Sequence, residues 1–105
     1  NAVGIWSLVG TINDWDNTDE KYTMSTEGIW FVYRNLEVSA AAEIKLVENY
    51  SWTTNRGGSW VGVNKSIEVR HDGANIKVPK GTYDVYMNGK KTLVYFMEPG
   101  LVPAI

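Results

Sequence analysis

The sequence contains no cysteine, which excludes disulfides and thiolate metal sites. It has one histidine, His71, and with no cysteine beside it a zinc site lacks ligands. Long hydrophobic runs are missing too. No stretch approaches a membrane span, and no basic-then-apolar leader is seen. Neither sign of charge dominates. Ten basic and twelve acidic residues leave a net charge of −2, so electrostatics gives no reason to expect nucleic acid or an anionic membrane as partner. Phenylalanine is scarce, at two, beside five tryptophans and six tyrosines. The aromatic content is therefore weighted toward rings with a polar handle, which suit a position apolar on one side and wet on the other.

What is present is an ordinary globular composition, 44% hydrophobic and 21% charged. Its 105 residues make one domain, residues 1–105, large enough to bury a core without staples. The chain begins at Asn1 rather than Met, and we expect a fragment or mature segment of a longer multidomain protein.

Apolar alternation predicts short strands over residues 5–10, 29–36 and 42–49, with weaker ones over 21–24, 60–63, 67–69 and 75–78. Asn88-Gly89 between two alternating runs predicts a hairpin with a two-residue turn. Residues 11–20, mostly polar, read as a loop, as do 49–58, with a turn at Asn55-Arg56-Gly57-Gly58-Ser59 and another at His71-Asp72-Gly73. Seven or eight short strands and no helix of normal length describe an all-β antiparallel sandwich or barrel.

Trp6 and Trp30 lie in alternating strands and read as packing residues. Trp60 reads as a core cap or as flanking a site. Trp15 and Trp52 differ, each being the large apolar residue of its polar loop. Such a ring either tucks back onto the fold or faces ligand. A sugar offers a C–H face for stacking on indole and a rim of hydroxyls. Lys45, Asn49, Asn55 and Arg56 carry the hydrogen-bonding groups that rim requires. Two tilted rings would suit a curved α-glucan, and a coplanar row a flat chain.

Catalytic patterns are weak. Asp14 and Asp16 alternate like calcium ligands, but the loop lacks the glycine of an EF-hand. The carboxylates of residues 14–20 lie in an open loop with no apolar pocket to raise a pKa, so glycoside hydrolysis is not expected. No serine occupies a nucleophile elbow, and no phosphate-binding loop precedes a helix.

The ordered set Val9-Gly10-Thr11-Ile12-Asn13-Asp14-Trp15, Gly28-Ile29-Trp30, Glu43-Ile44-Lys45-Leu46, Trp52-Thr53-Thr54-Asn55-Arg56-Gly57-Gly58, Gly73-Ala74-Asn75-Ile76-Lys77-Val78 and Gly81-Thr82-Tyr83-Asp84-Val85-Tyr86 resembles the starch-binding domains of the SusE and SusF outer-membrane lipoproteins of Bacteroides-type bacteria. These are related to the starch-binding modules of amylases and glucoamylases. The resemblance spans most of the chain, from Trp6 to Gly100. It implies an immunoglobulin-like antiparallel β-sandwich that binds α-glucan (starch, maltooligosaccharide or cyclodextrin) without cleaving it and without a cofactor. It implies stacking by Trp15 and Trp52, and hydrogen bonding by Lys45, Asn55 and Arg56. It also implies a place on the cell surface, held at the outer membrane by a lipid anchor outside this chain, among other starch-uptake proteins. Tyr50-Ser51 before Trp52 and Ser59-Trp60 after it depart from the pattern and leave Tyr50 and Trp60 as alternative second walls. The competing expectation is a non-binding spacer or protein-interaction domain. In these lipoproteins the domain nearest the anchor is a spacer lacking the rings, whereas this chain has both rings and the lysine.

Overall fold

The computed structural model describes residues 4–104; the domain read over residues 1–105, with its tail to Ile105, extends beyond them. Among the described residues the regular structure is nine β-strands and two single turns of 3-10 helix, Thr11–Asn13 and Glu20–Tyr22. The strands are β1 (Trp6–Gly10), β2 (Ser25–Glu27), β3 (Trp30–Val38), β4 (Ala42–Glu48), β5 (Ser51–Gly58), β6 (Ser66–Arg70), β7 (Ile76–Val78), β8 (Gly81–Asn88) and β9 (Leu93–Met97). All pairings are antiparallel, in the order β1-β4-β5-β6-β9-β8-β3-β2, with β7 added beside β4.

The sheet is strongly curled. One segment draws its two ends together. Thr23 bridges to Ser7, the Met24 N–H donates to the Trp6 carbonyl at 2.8 Å, and the chain then enters β2 against β3. The inward residues of both halves meet in one core. Trp6, Leu8, Ile44, Leu46, Ile76 and Val78 come from β1, β4 and β7, while Phe31, Leu36, Ile67, Val85, Met87, Val94 and Phe96 come from the other strands. Trp60 packs on this core, edge-on to Tyr83 and Phe96. Trp30 lies on the opposite face of β3, with Val32 and between Tyr86 and Tyr95.

Several sequence expectations change in detail. The edge strand predicted over residues 21–24 is a 3-10 turn followed by the single bridge at Thr23. The turn predicted at Asn55-Arg56-Gly57-Gly58-Ser59 is strand, since β5 runs through Gly58. Its glycines serve close approach rather than a turn. A Cβ on Gly57 would collide with the carbonyl oxygens of Gly73 and Ala74, and a Cβ on Gly73 with that of Gly57. The polar loop predicted over 49–58 thus shrinks to the turn Asn49-Tyr50, with φ of 54° and 56° between Glu48 and Ser51. Two left-handed residues are what a two-residue hairpin requires. At the β8–β9 hairpin the connection spans more than the predicted pair. Lys91 is the left-handed residue (φ 62°), and Asn88 Oδ1 accepts from the N–H groups of Thr92 and Leu93 at 2.9 and 3.0 Å.

Candidate functional site

The site builds from the register of β1, β4 and β5. Residues directly opposite in an antiparallel pair share a face. Val9 faces Lys45, Ser7 faces Val47, and Val47 faces Asn55. These five residues therefore line the face of the sheet opposite the core, and all five are buried. Beyond Asn55 the register breaks. Val47 pairs with Asn55 but Glu48 with Ser51, so Trp52, Thr53 and Thr54 bulge out of the ladder. The Asn55 Nδ2 closes this bulge by donating to the Trp52 carbonyl at 3.1 Å.

Trp15 reaches the bulge from the loop after β1. Asp14 and Trp15 are both left-handed, with φ of 56° and 59°, and the Trp15 N–H is tied to the Gly10 carbonyl at 2.8 Å. This conformation costs a non-glycine residue about 1 kcal/mol or more, and persists where surrounding contacts impose it. Here the contacts come from β4–β5. Asn17 Nδ2 donates to the Tyr50 carbonyl at 2.6 Å, and the Tyr50 and Thr23 hydroxyls share a 2.7 Å bond. Asn49 fixes the same turn to the start of β1. Its N–H donates to the Ile5 carbonyl at 2.6 Å, and its Oδ1 accepts from the Ile5 N–H at 3.0 Å.

The outcome is a pair of indoles. The Trp15 and Trp52 ring centroids lie 6.2 Å apart with planes inclined at 37°. Trp15 is half-buried and Trp52 is 39% exposed. The loop after β1 and the bulge of β5, which carry rings 37 residues apart in sequence, thus meet.

Lys45 lies on that face with its side chain largely covered. Among the described residues its amine makes no hydrogen bond or ion pair. Burial pushes its pKa below the ordinary lysine value, and the charge of Asp72 opposes the shift. Asp72 is a residue that sequence reasoning missed. It stands in the β6–β7 turn, and its Oδ1 accepts from Asn55 Nδ2 at 2.8 Å. That bond first, then His71 and Lys45, hold its carboxyl below the usual range. Asn55 Oδ1 is buried and has no partner among the described residues.

Asn55 and Lys45 thus share one face, Asp72 is bonded to Asn55, and the Trp15–Trp52 pair stands at the bulge that Asn55 closes. Asn49 and Tyr50 act behind the rings, as the turn and its clasp. Arg56 is not in the group. It alternates with Asn55 and pairs with Leu46, so it points to the core side. There its guanidinium lies 5.9 Å from the Trp6 ring, and its Nε donates to the Lys91 carbonyl at 3.0 Å. The acidic loop caps its own turns. Asp16 Oδ1 accepts from the Thr18 N–H and hydroxyl, and Asp19 Oδ1 from the Lys21 N–H. Clefts beside Arg70 and beside Trp30 involve none of these groups. The tryptophan pair is an open ledge beside the bulge that Asn55 closes.

Among known proteins, no family model and no curated protein matches the chain.

Proposed function

We propose that this face binds α-glucan (starch, maltooligosaccharide or cyclodextrin) without cleaving it. The observation that carries the reading is the 37° inclination of Trp15 to Trp52 at a 6.2 Å centroid separation. Successive glucose units of an α-glucan turn about the chain, so their C–H faces meet a tilted pair of rings. A flat β-linked chain requires coplanar rings. The amine of Lys45 supplies three donors to hydroxyls beside the rings. Backbone strain at Trp15 supports the same reading, since strain of this kind gathers at functional sites.

The fold we propose is an immunoglobulin-like β-sandwich, β1-β4-β5-β7 forming one layer and β2-β3-β8-β9-β6 the other. Its support is the Tyr83 hydroxyl, which donates to the Pro79 carbonyl at 2.7 Å, four residues upstream at the start of β8. Such a tyrosine corner marks that architecture. By resemblance, the domain would work at the cell surface on an outer membrane, held by a lipid anchor outside this chain and beside other starch-uptake proteins.

The test is calorimetric titration with maltoheptaose, together with electrophoresis in an amylopectin gel. Binding heat and retardation are expected, with no heat from cellohexaose. No heat with maltoheptaose and no retardation would overturn the proposal and leave a spacer or protein-interaction domain.

A further inference from the structure

We propose that Asp72 is a ligand-contacting residue that makes this face select neutral glycans over acidic ones. The inference rests on reading the face as glycan-binding. Three observations lead to it. The first is placement. The backbones of β5 and the β6–β7 turn touch where Gly57 meets Gly73, which sets Asp72 beside Asn55. Asp72 is itself left-handed (φ 56°), so the turn aims its side chain.

The second is free capacity. Oδ1 accepts one bond from Asn55, and Oδ2 lies 3.3 Å from His71 Nε2. Each carboxylate oxygen has two acceptor sites, so both keep one open. The side chain is 74% exposed, and Asn55 ties it to the bulge that carries Trp52. Asn55, by contrast, is buried and serves as a positioning residue, its amide spanning the Trp52 carbonyl and the Asp72 carboxylate.

The third is complementarity. A sugar hydroxyl both donates and accepts. Lys45 only donates, so a face built on it alone would leave hydroxyl protons unmatched. Asp72 provides the acceptor, and its charge balances that of Lys45. A uronate or sulfate would meet one cation and one anion, gain nothing net, and lose the hydroxyl that Asp72 would have accepted from.

The test uses Asp72→Asn in the full chain. Asparagine tolerates the left-handed conformation and can still accept from Asn55, so the substitution removes the charge and keeps the turn. Maltoheptaose and the same sugar oxidised at its C6 hydroxyls are titrated into both proteins. The wild type is expected to bind the oxidised sugar about tenfold more weakly, and Asp72→Asn to weaken maltoheptaose binding severalfold while shrinking that ratio. The ratio is read on folded protein, so a shift in stability does not move it. An unchanged ratio in Asp72→Asn, with maltoheptaose still bound by the wild type, overturns the role of Asp72 alone. A wild type that does not bind maltoheptaose overturns the glycan reading beneath it.

Discussion

The side-chain amide of Asn17 donates a 2.6 Å hydrogen bond to the backbone carbonyl of Tyr50, joining the loop that carries Trp15 to the turn that leads into Trp52. The Tyr50 hydroxyl returns to Thr23, so the clasp has two points. A clasp of this kind sets the ring angle before ligand arrives, which lowers the ordering cost of binding. Asn17→Ala removes one point without touching either ring. It is expected to cost about 1 kcal/mol of stability in urea, to weaken the Trp–Trp signal in near-ultraviolet circular dichroism, and to lower maltoheptaose affinity. Affinity and dichroism both equal to wild type would show that the clasp does not set the angle.

The rings themselves divide into a strained one and an unstrained one. Trp15→Ala and Trp52→Ala are each expected to weaken maltoheptaose binding by about 2 kcal/mol. Trp15 also pays for its left-handed backbone, which glycine adopts freely. Trp15→Gly should therefore be more stable than Trp15→Ala by about 1 kcal/mol, with binding equally lost. A glycine variant less stable than the alanine variant would remove the argument that strain is held there for function.

Much of this face was legible in the sequence because it follows from period and composition. Alternation sets Lys45 opposite in facing to Ile44 and Leu46, and a lone tryptophan in each polar stretch marks the rings. What composition hid was the distinction between a polar loop and a polar strand. Residues 51–58 have no apolar alternation, because one side carries a bulge, Asn55 and Gly57 while the other carries Arg56 and Gly58. Asp72 was hidden for a related reason. Its turn was visible, but the contact that brings it to Asn55 depends on Gly57 and Gly73, which read as punctuation. The same signal, a glycine pair in β5 and an Asp-Gly turn, is the one that could have found it.

Arg56 illustrates what strand geometry changes. In a loop it belongs with Trp52; in β5 it points away and joins Trp6 to the β8–β9 turn. Arg56→Met is expected to lower stability by about 1–2 kcal/mol, through loss of the bond to the Lys91 carbonyl and of the stacking on Trp6. Glucan affinity should stay within about twofold and show little dependence on salt, with Lys45 and Asp72 in balance. A large loss of affinity with stability intact would return Arg56 to the binding face.

In the proposed site Lys45 would set function against stability, and its pH behaviour separates the two. Its folded pKa lies below the ordinary lysine value of 10.5 because burial disfavours the ammonium. Between the folded and unfolded values the unfolded chain holds more protons, so stability rises with pH across that window. Below that window both states are charged and the desolvation cost is borne in full. Lys45→Met removes the cost while keeping the stem's packing. It is expected to be as stable as the wild type or more so at neutral pH, with glucan affinity lower by about 2 kcal/mol. As pH rises into the alkaline window the wild type should gain on the variant, because only the wild type has an amine to discharge. Urea unfolding of both proteins at neutral and alkaline pH measures this difference, and the raised tyrosine pKa values of Tyr33 and Tyr83, common to both, cancel in it. Parallel stability curves would mean that the amine is as well solvated folded as unfolded. Lys45 would then carry no desolvation cost, and the hydrogen-bonding half of the proposed site would have to be sought elsewhere.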